Sequence, residues 1–456
     1  MNKLLNKLKF DVLEDNPIKV LICISLPIII VNIISIFTAS ITNDIYSRYV
    51  GQVVFTVTGL IGTVASSFIV FGSGVQSAAW IKTAGSFSKD NRDKAGRDVY
   101  NSIYAIIIVD VIFAIIFILL AEPVFSIANI PTEMKDETML YYVYYIISCV
   151  IVSISGVFSS IHSGIGSMFN LFTINIISTF SSAFAAFILL GVFNLGVVGV
   201  AVLGAFNSVL AMIYCVIVIV RKGVNIKINK ENLKPDFKLI FGMTKYGMLI
   251  ALQALLCNVG YFAVSIQTNK YLSMEFIAVT AVSLPLGGPM SALSSAISIF
   301  VPQNYAAGKS ERVRKFLNVT LALCVGYGAI CAILFATLGN WYYGTLFTDP
   351  NIVALGAEYW RYYGLGYIFV AVIYIVRVFY DCIGLSNMAL FSGVSEMAGS
   401  FICAFWLIPV FGNIGNTLMY PLSWFIATAY LLISYVFLKK SIYVRCDQNA
   451  HKKIIQ

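Results

Sequence analysis

The sequence predicts an all-α integral membrane protein of twelve transmembrane helices, in two six-helix bundles related by a pseudo-two-fold axis along the membrane normal. Three observations carry this. Apolar residues make up 59% of the 456-residue chain and charged residues 11%, against about 25% charge in a soluble domain, so a water-facing surface cannot be assembled. The apolar runs repeatedly reach the roughly 20 residues that a helix needs to cross a bilayer core. They are continuous rather than alternating with period two, which argues against a barrel. Finally, one long interior stretch is strongly polar and basic, RKGVNIKINKENLKPDFK at 221–238, and the plan before it recurs after it. The domain reading is a first bundle with a short cytoplasmic tail over 1–220, a cytoplasmic linker over 221–238, and a second bundle with its tail over 239–456.

The N-terminus, MNKLLNKLKFDVLEDNP, resembles the start of a signal peptide, but the apolar run after it is too long and ends in no small-residue cleavage pattern. It reads as a tail leading into the first span. The twelve spans are placed at 17–43, 53–80, 98–121, 139–161, 169–191, 195–220, 239–266, 275–300, 315–338, 353–378, 388–409 and 414–438. Gly and Pro within them are tolerated in membrane helices. An even number puts both ends on one side.

Charge decides which side. All but five of the 30 basic residues lie in the tails, the even-numbered loops or the linker region. Arg48, Lys135, Lys270 and Arg361 lie near odd-numbered loops, and Arg377 near a helix end. By the positive-inside rule both termini are cytoplasmic. The net charge of +9 is therefore topological, and no nucleic-acid partner is needed to explain it. The nine cysteines include no CxxC and there are two histidines, so the cysteines read as small buried apolar residues, and no metal or cofactor is expected.

The halves repeat with an offset of about 220 residues. Pro27 corresponds to Gly247; KAGR at 94–97 answers QNYAAGKSERVRK at 303–315; HSGIGSMFN at 162–170 answers YDCIGLSN at 380–387; FNLGVVGVA at 193–201 answers FGNIGNTLM at 411–419. Six helices per copy gives the copies one orientation, an arrangement typical of transporters with a midplane site.

These residues resemble the multidrug and toxic compound extrusion (MATE) family, prokaryotic branch, over nearly the whole chain. The resemblance rests on Pro27…Asp44…Gly51, on Gly85…Lys94-Ala95, and above all on Gln303-Asn304…Gly308…Glu311-Arg312. The paired Ile-Gly turns and the Gly196…Gly199 and Gly412…Gly415 stretches add to it. It implies two bundles forming a V that alternately opens to each side of the cell membrane. The implied activity is export of a hydrophobic, cationic compound in exchange for protons or sodium ions, by a monomer and not an enzyme. The alternative is a flippase for a lipid-linked saccharide or peptidoglycan precursor, which shares the architecture.

A charge at the bilayer centre costs at least about 2.5–3.5 kcal/mol on insertion scales, so intramembrane polar groups are the site candidates. Asp44 matches the family's ion-binding acid of helix one; its bland reading is an ion pair with Arg48 at i+4. Asp110 is central in the third span and Glu396 in the eleventh, each read either as functional or as structural. Gln253 and Asn258 read as interhelical hydrogen-bonding groups or as site residues. Where the family's helix five carries an Asn and an Asp, this chain has Ser181 and Ala185; Asn175 is the substitute. Asp381 stands where the family has an arginine, and Arg377 four residues earlier is its expected partner. Aromatic clusters such as 141–145 and 359–363 read mainly as interface anchors.

Overall fold

The computed structural model describes residues 11–88, 92–127, 132–164, 168–221, 233–281, 283 and 286–454. The N-terminal tail, most of the linker and the first Ile-Gly turn fall outside them. Every regular element is helical among the described residues, and ten helices are long and apolar enough to cross a membrane.

The chain forms two compact units whose limits differ from the expected ones. The first comprises Met1–Asp11 and Leu26–Ala251, the second Val12–Ser25 and Leu252–Gln456. Both exchanges fall inside helices: α1 (Pro17–Tyr49) and α8 (Phe237–Tyr271) each serve both units. Composition marks a polar linker, whereas packing decides where a unit ends.

In the first unit α1 is followed by α2 (Gln52–Ser88), α3 (Arg92–Leu119), a short α4 (Ala121–Ile127), α5 (Lys135–Gly164), α6 (Met168–Ala186) and α7 (Gly196–Arg221). Helix α1 runs past its expected end because nothing breaks it before Gly51, whose φ of +78° closes it with N–H bonds to Tyr46 O. Asp44 thus lies within the helix. The core gathers Phe68, Phe125, Tyr142, Ile146 and Cys149, and Phe71 stacks on Phe113 with centroids 3.8 Å apart. Tyr141 and Tyr142 are buried, so they pack the core instead of anchoring an interface. Gly247 corresponds to Pro27 in sequence but does a different job: a Cβ there would lie 2.8 Å from Val75 N, so α8 crosses α2 at backbone contact. The linker's end is tied to the same unit by Arg97 Nη2 donating to Asp236 at 2.7 Å and Tyr104 Oη to Leu233 O at 2.9 Å.

The second unit contains α9 (Met274–Ala281), α10 (Gly288–Ala306), α11 (Ser310–Leu346), α12 (Pro350–Cys382), α13 (Ser386–Ile402), short α14 (Ile408–Phe411) and α15 (Asn413–Thr417), and α16 (Met419–Ile454). The expected eighth span is broken between α9 and α10, in SLPLGGP, where two prolines and two glycines fall within seven residues. Backbone groups freed inside a membrane must find partners. Aromatics supply them: Tyr367 Oη accepts from Leu286 N at 3.0 Å, Tyr327 Oη donates to Leu286 O at 3.0 Å, and Tyr343 Oη donates to Val279 O at 3.1 Å. Tyr359, Trp360 and Tyr363 are buried beside this break, again in place of an interface role. Glycines at 328, 339 and 364 let α11 and α12 approach until a Cβ would touch the facing backbone or Phe335.

The start of the chain is latched onto this unit. Arg312 donates from Nη2 to Asp15 O at 2.7 Å and Val12 O at 3.2 Å, and from Nε to Asn304 Oδ1 at 3.0 Å. Asn304 Nδ2 donates to Val12 O at 3.0 Å, and Lys309 Nζ to Leu13 O at 3.0 Å. Asn304, Lys309 and Arg312 of the motif therefore hold residues 12–15 largely through their carbonyls, and Lys309 Nζ also pairs with the Glu14 carboxylate at 2.5 Å. Hydrogen bonds to a charged donor contribute about 1.5–3 kcal/mol. We expect Arg312→Ala to lower stability by about that amount in thermal unfolding, and Lys309→Ala, whose side chain is 31% exposed, by under about 1 kcal/mol. Equal effects would contradict the latch.

Candidate functional site

Within the second unit, two close helix crossings build a cavity. Gly393 on α13 lies so near α8 that a Cβ would meet Gln253 O at 2.8 Å, and one on Gly260 of α8 would meet Ser400 Cβ at 2.9 Å. The shared face presents Gln253, Cys257 and Tyr261, one turn apart on α8, to Ser392 and Glu396, one turn apart on α13. Helix α12 adds Arg377, and α16 adds Trp424.

These groups form one bonded set. Arg377 Nη2 meets Glu396 Oε2 at 2.7 Å, and Arg377 Nε donates to Ser392 Oγ at 2.8 Å. The Tyr261 hydroxyl donates to Glu396 Oε1 and accepts from Trp424 Nε1 at 3.3 Å. The Arg377 and Glu396 side chains are 14% and 4% exposed. Together with Gln253, Asn258 and Tyr374 they line a cavity of about 390 Å³. Gln253 Oε1 is buried without a hydrogen-bond partner among the described residues. So three of the six sequence candidates, Gln253, Asn258 and Glu396, stand around one space. The ion pair that Arg377 forms at 2.7 Å is with Glu396, while Asp381, at the i+4 position, accepts from Ser386 Oγ at 2.6 Å across the turn at Gly384.

The first unit holds a second cavity, of about 510 Å³. Asn175 lines it with Ser35, Thr38, Thr42, Thr179 and Asn207, and no described lining residue is acidic. Ser181 donates to Asn207 Oδ1 at 2.9 Å and Asn207 Nδ2 to Ser182 Oγ at 2.8 Å, so this region is held by hydroxyls and amides. Asp44 is not part of its lining. Its carboxylate is 56% exposed and meets Arg48 Nε at 2.8 Å, an exposed i+4 ion pair. Asp110 stands apart from both cavities. It is wholly buried against Gly72 and Ser153, and among the described residues neither carboxyl oxygen has a hydrogen-bond partner, while Ser153 Oγ donates to Cys149 O at 3.0 Å.

Sequence reasoning passed over Tyr261, Trp424, Tyr374 and Asn207. Their signal is weak: a phenol or an amide in an apolar run is common, and only the crossing of helices shows which ones converge.

Two repeated helical units, each spanning the membrane several times and each holding a cavity with polar side chains in its wall, define the class of multi-pass membrane transporters. The MatE family model matches residues 27–188 and again 242–406, one match to each half. The chain belongs to the MatE family, a family of transporters rather than enzymes. Solved structures share the fold. A MATE transporter in complex with MaD5 superposes with a TM-score of 0.81 at 14% identity, over 94% of this chain and 98% of that one. An outward-facing multidrug resistance MATE transporter of the MOP superfamily gives 0.79 at 13%, over 95% and 98%. A MOP superfamily transporter from Pyrococcus furiosus, whose binding pocket is of reversed polarity and suggests a different function, gives 0.80 at 13%, over 94% and 98%. Among curated proteins none matches significantly.

Proposed function

We propose that the chain is a cation-coupled antiporter that exports small hydrophobic compounds by alternating access, with the second-unit cavity as the compound site. The observation carrying this is the buried Arg377–Glu396 pair on the wall of a cavity of about 390 Å³, within the usual range for small-molecule sites, roughly 300–1,000 Å³. Any proton or sodium ion that engages Glu396 must loosen Arg377, which ties α12 to α13. An ion shifts a conformational balance only through different affinities for the two states, and this exchange of partners supplies such a difference. Asp44, exposed and paired, is not given the coupling role. The cavity suits a compound of drug size better than a lipid-linked saccharide. The reading places the protein in the cell membrane as a monomer with both termini cytoplasmic.

The test is reconstitution in vesicles, with export of a fluorescent compound driven by a pH gradient or by a sodium gradient. One gradient is expected to drive export, and Glu396→Gln to reduce the gradient-driven rate at least tenfold while the protein stays folded. Export that is unchanged in Glu396→Gln would overturn the assignment of the site.

A further inference from the structure

We propose that the cavity selects flat, net-neutral compounds carrying an N–H donor, and discriminates against simple organic cations. This rests on the second-unit cavity being the compound site. Among its described lining residues the charged groups are Arg377 and Glu396 alone, and they neutralise each other. Both carboxylate oxygens are already engaged, Oε1 by the Tyr261 hydroxyl and Oε2 by Arg377 Nη2. A monocation therefore finds no free acid. To reach Glu396 it must displace the guanidinium, leaving Arg377 buried with Ser392 as its remaining partner. Uncoupling a buried charge costs roughly 10²–10⁴-fold in an equilibrium. The aromatic walls return roughly 2–30-fold through cation–π attraction. The cation loses.

A neutral aromatic compound meets no such barrier. Tyr261, Tyr374 and Trp424 place aromatic side chains in the cavity wall. One acceptor also waits unpaired among the described residues: Gln253 Oε1, buried and without a hydrogen bond. Gln253 lines the cavity, and Gly393 packs against its backbone. A donor on the ligand relieves the Gln253 acceptor, and a compound without one leaves it orphaned.

Three tricyclic fluorophores of nearly equal size separate these effects: acridone (neutral, N–H donor), N-methylacridone (neutral, no donor) and N-methylacridinium (monocation). Binding is measured by fluorescence polarisation to the full chain in detergent, with transport in vesicles as a second readout. We expect acridone to bind at least tenfold more tightly than N-methylacridinium, with N-methylacridone between them. Gln253→Leu should erase the difference between the two neutral probes. Arg377→Met, which frees Glu396, should shift the ratio toward the cation at least tenfold. If that variant fails to fold, the wild-type ranking and Gln253→Leu decide the matter alone. Tighter binding of the cation by the wild type, an unchanged ranking in Gln253→Leu, or binding of none of the three overturns the proposal. Trp424→Ala separates it from the assignment of the site. If the bound probe is lost with Trp424 but the ranking is wrong, the cavity stands and the selectivity fails; if binding ignores Trp424, the cavity itself is wrong.

Discussion

Arg377→Met is expected to lower stability by about 3–5 kcal/mol, the usual cost of stripping one partner from a buried ion pair. The side chains are 14% and 4% exposed, so little solvent screens the charge left behind. Glu396→Gln should cost less, because its amide oxygen can still accept from Arg377 while its amide nitrogen donates to the Tyr261 hydroxyl oxygen in place of the bond that Glu396 Oε1 accepts. The double variant Arg377→Met, Glu396→Gln should recover most of the loss, since a neutral, well-packed replacement of a buried pair is often close to neutral in stability. Thermal unfolding of the four proteins closes a double-mutant cycle. Additive losses would mean that the two residues act separately and that the cavity wall is not organised around their pairing.

How far this could be foreseen depends on which physical scale each feature lives on. Spans and repeat were legible because they follow from continuous apolar runs and from glycines and prolines that force backbone geometry. Gly51, Gly308 and Gly384 all take positive φ at helix ends, as their positions in the motifs suggest. The break in the eighth span is also written in SLPLGGP, although hydropathy alone runs across it as one apolar stretch. The unit boundaries at Ser25 and Ala251 were not legible, because a helix shared between two units carries no compositional mark. The site was legible only in part. Glu396 and Gln253 stand out as polar groups at membrane depth, but Arg377 has an acid at i+4 in Asp381 and another 19 residues away in Glu396. Local spacing favours the first. The crossing of α12 and α13 favours the second. For Asp44 the order is reversed: the i+4 partner Arg48 is the one found.

The repeat also makes a prediction about inequality. Each half ends its fifth helix in a π-helical turn, Phe187–Val192 in the first and Cys403–Leu407 in the second. Each follows it with a glycine at positive φ, Gly196 at +55° and Gly412 at +56°, and then a second glycine three residues on. The second glycines, Gly199 and Gly415, look equivalent in sequence but have different neighbours. A Cβ on Gly199 would press on the Leu190 side chain, whose Cδ2 lies 2.6 Å away and can rotate aside. A Cβ on Gly415 would strike the Leu407 carbonyl and lie 2.7 Å from Ile408 N. That is main chain within the second π-turn, and relief requires the turn itself to move. Gly415→Ala is therefore expected to cost about 3 kcal/mol, the upper range for overpacking, and Gly199→Ala about 1 kcal/mol. The two variants are compared by thermal unfolding and by folded yield. Equal tolerance would mean that the π-turns yield freely, and that the shared geometry of the two halves is a common inheritance rather than a constraint each half still needs.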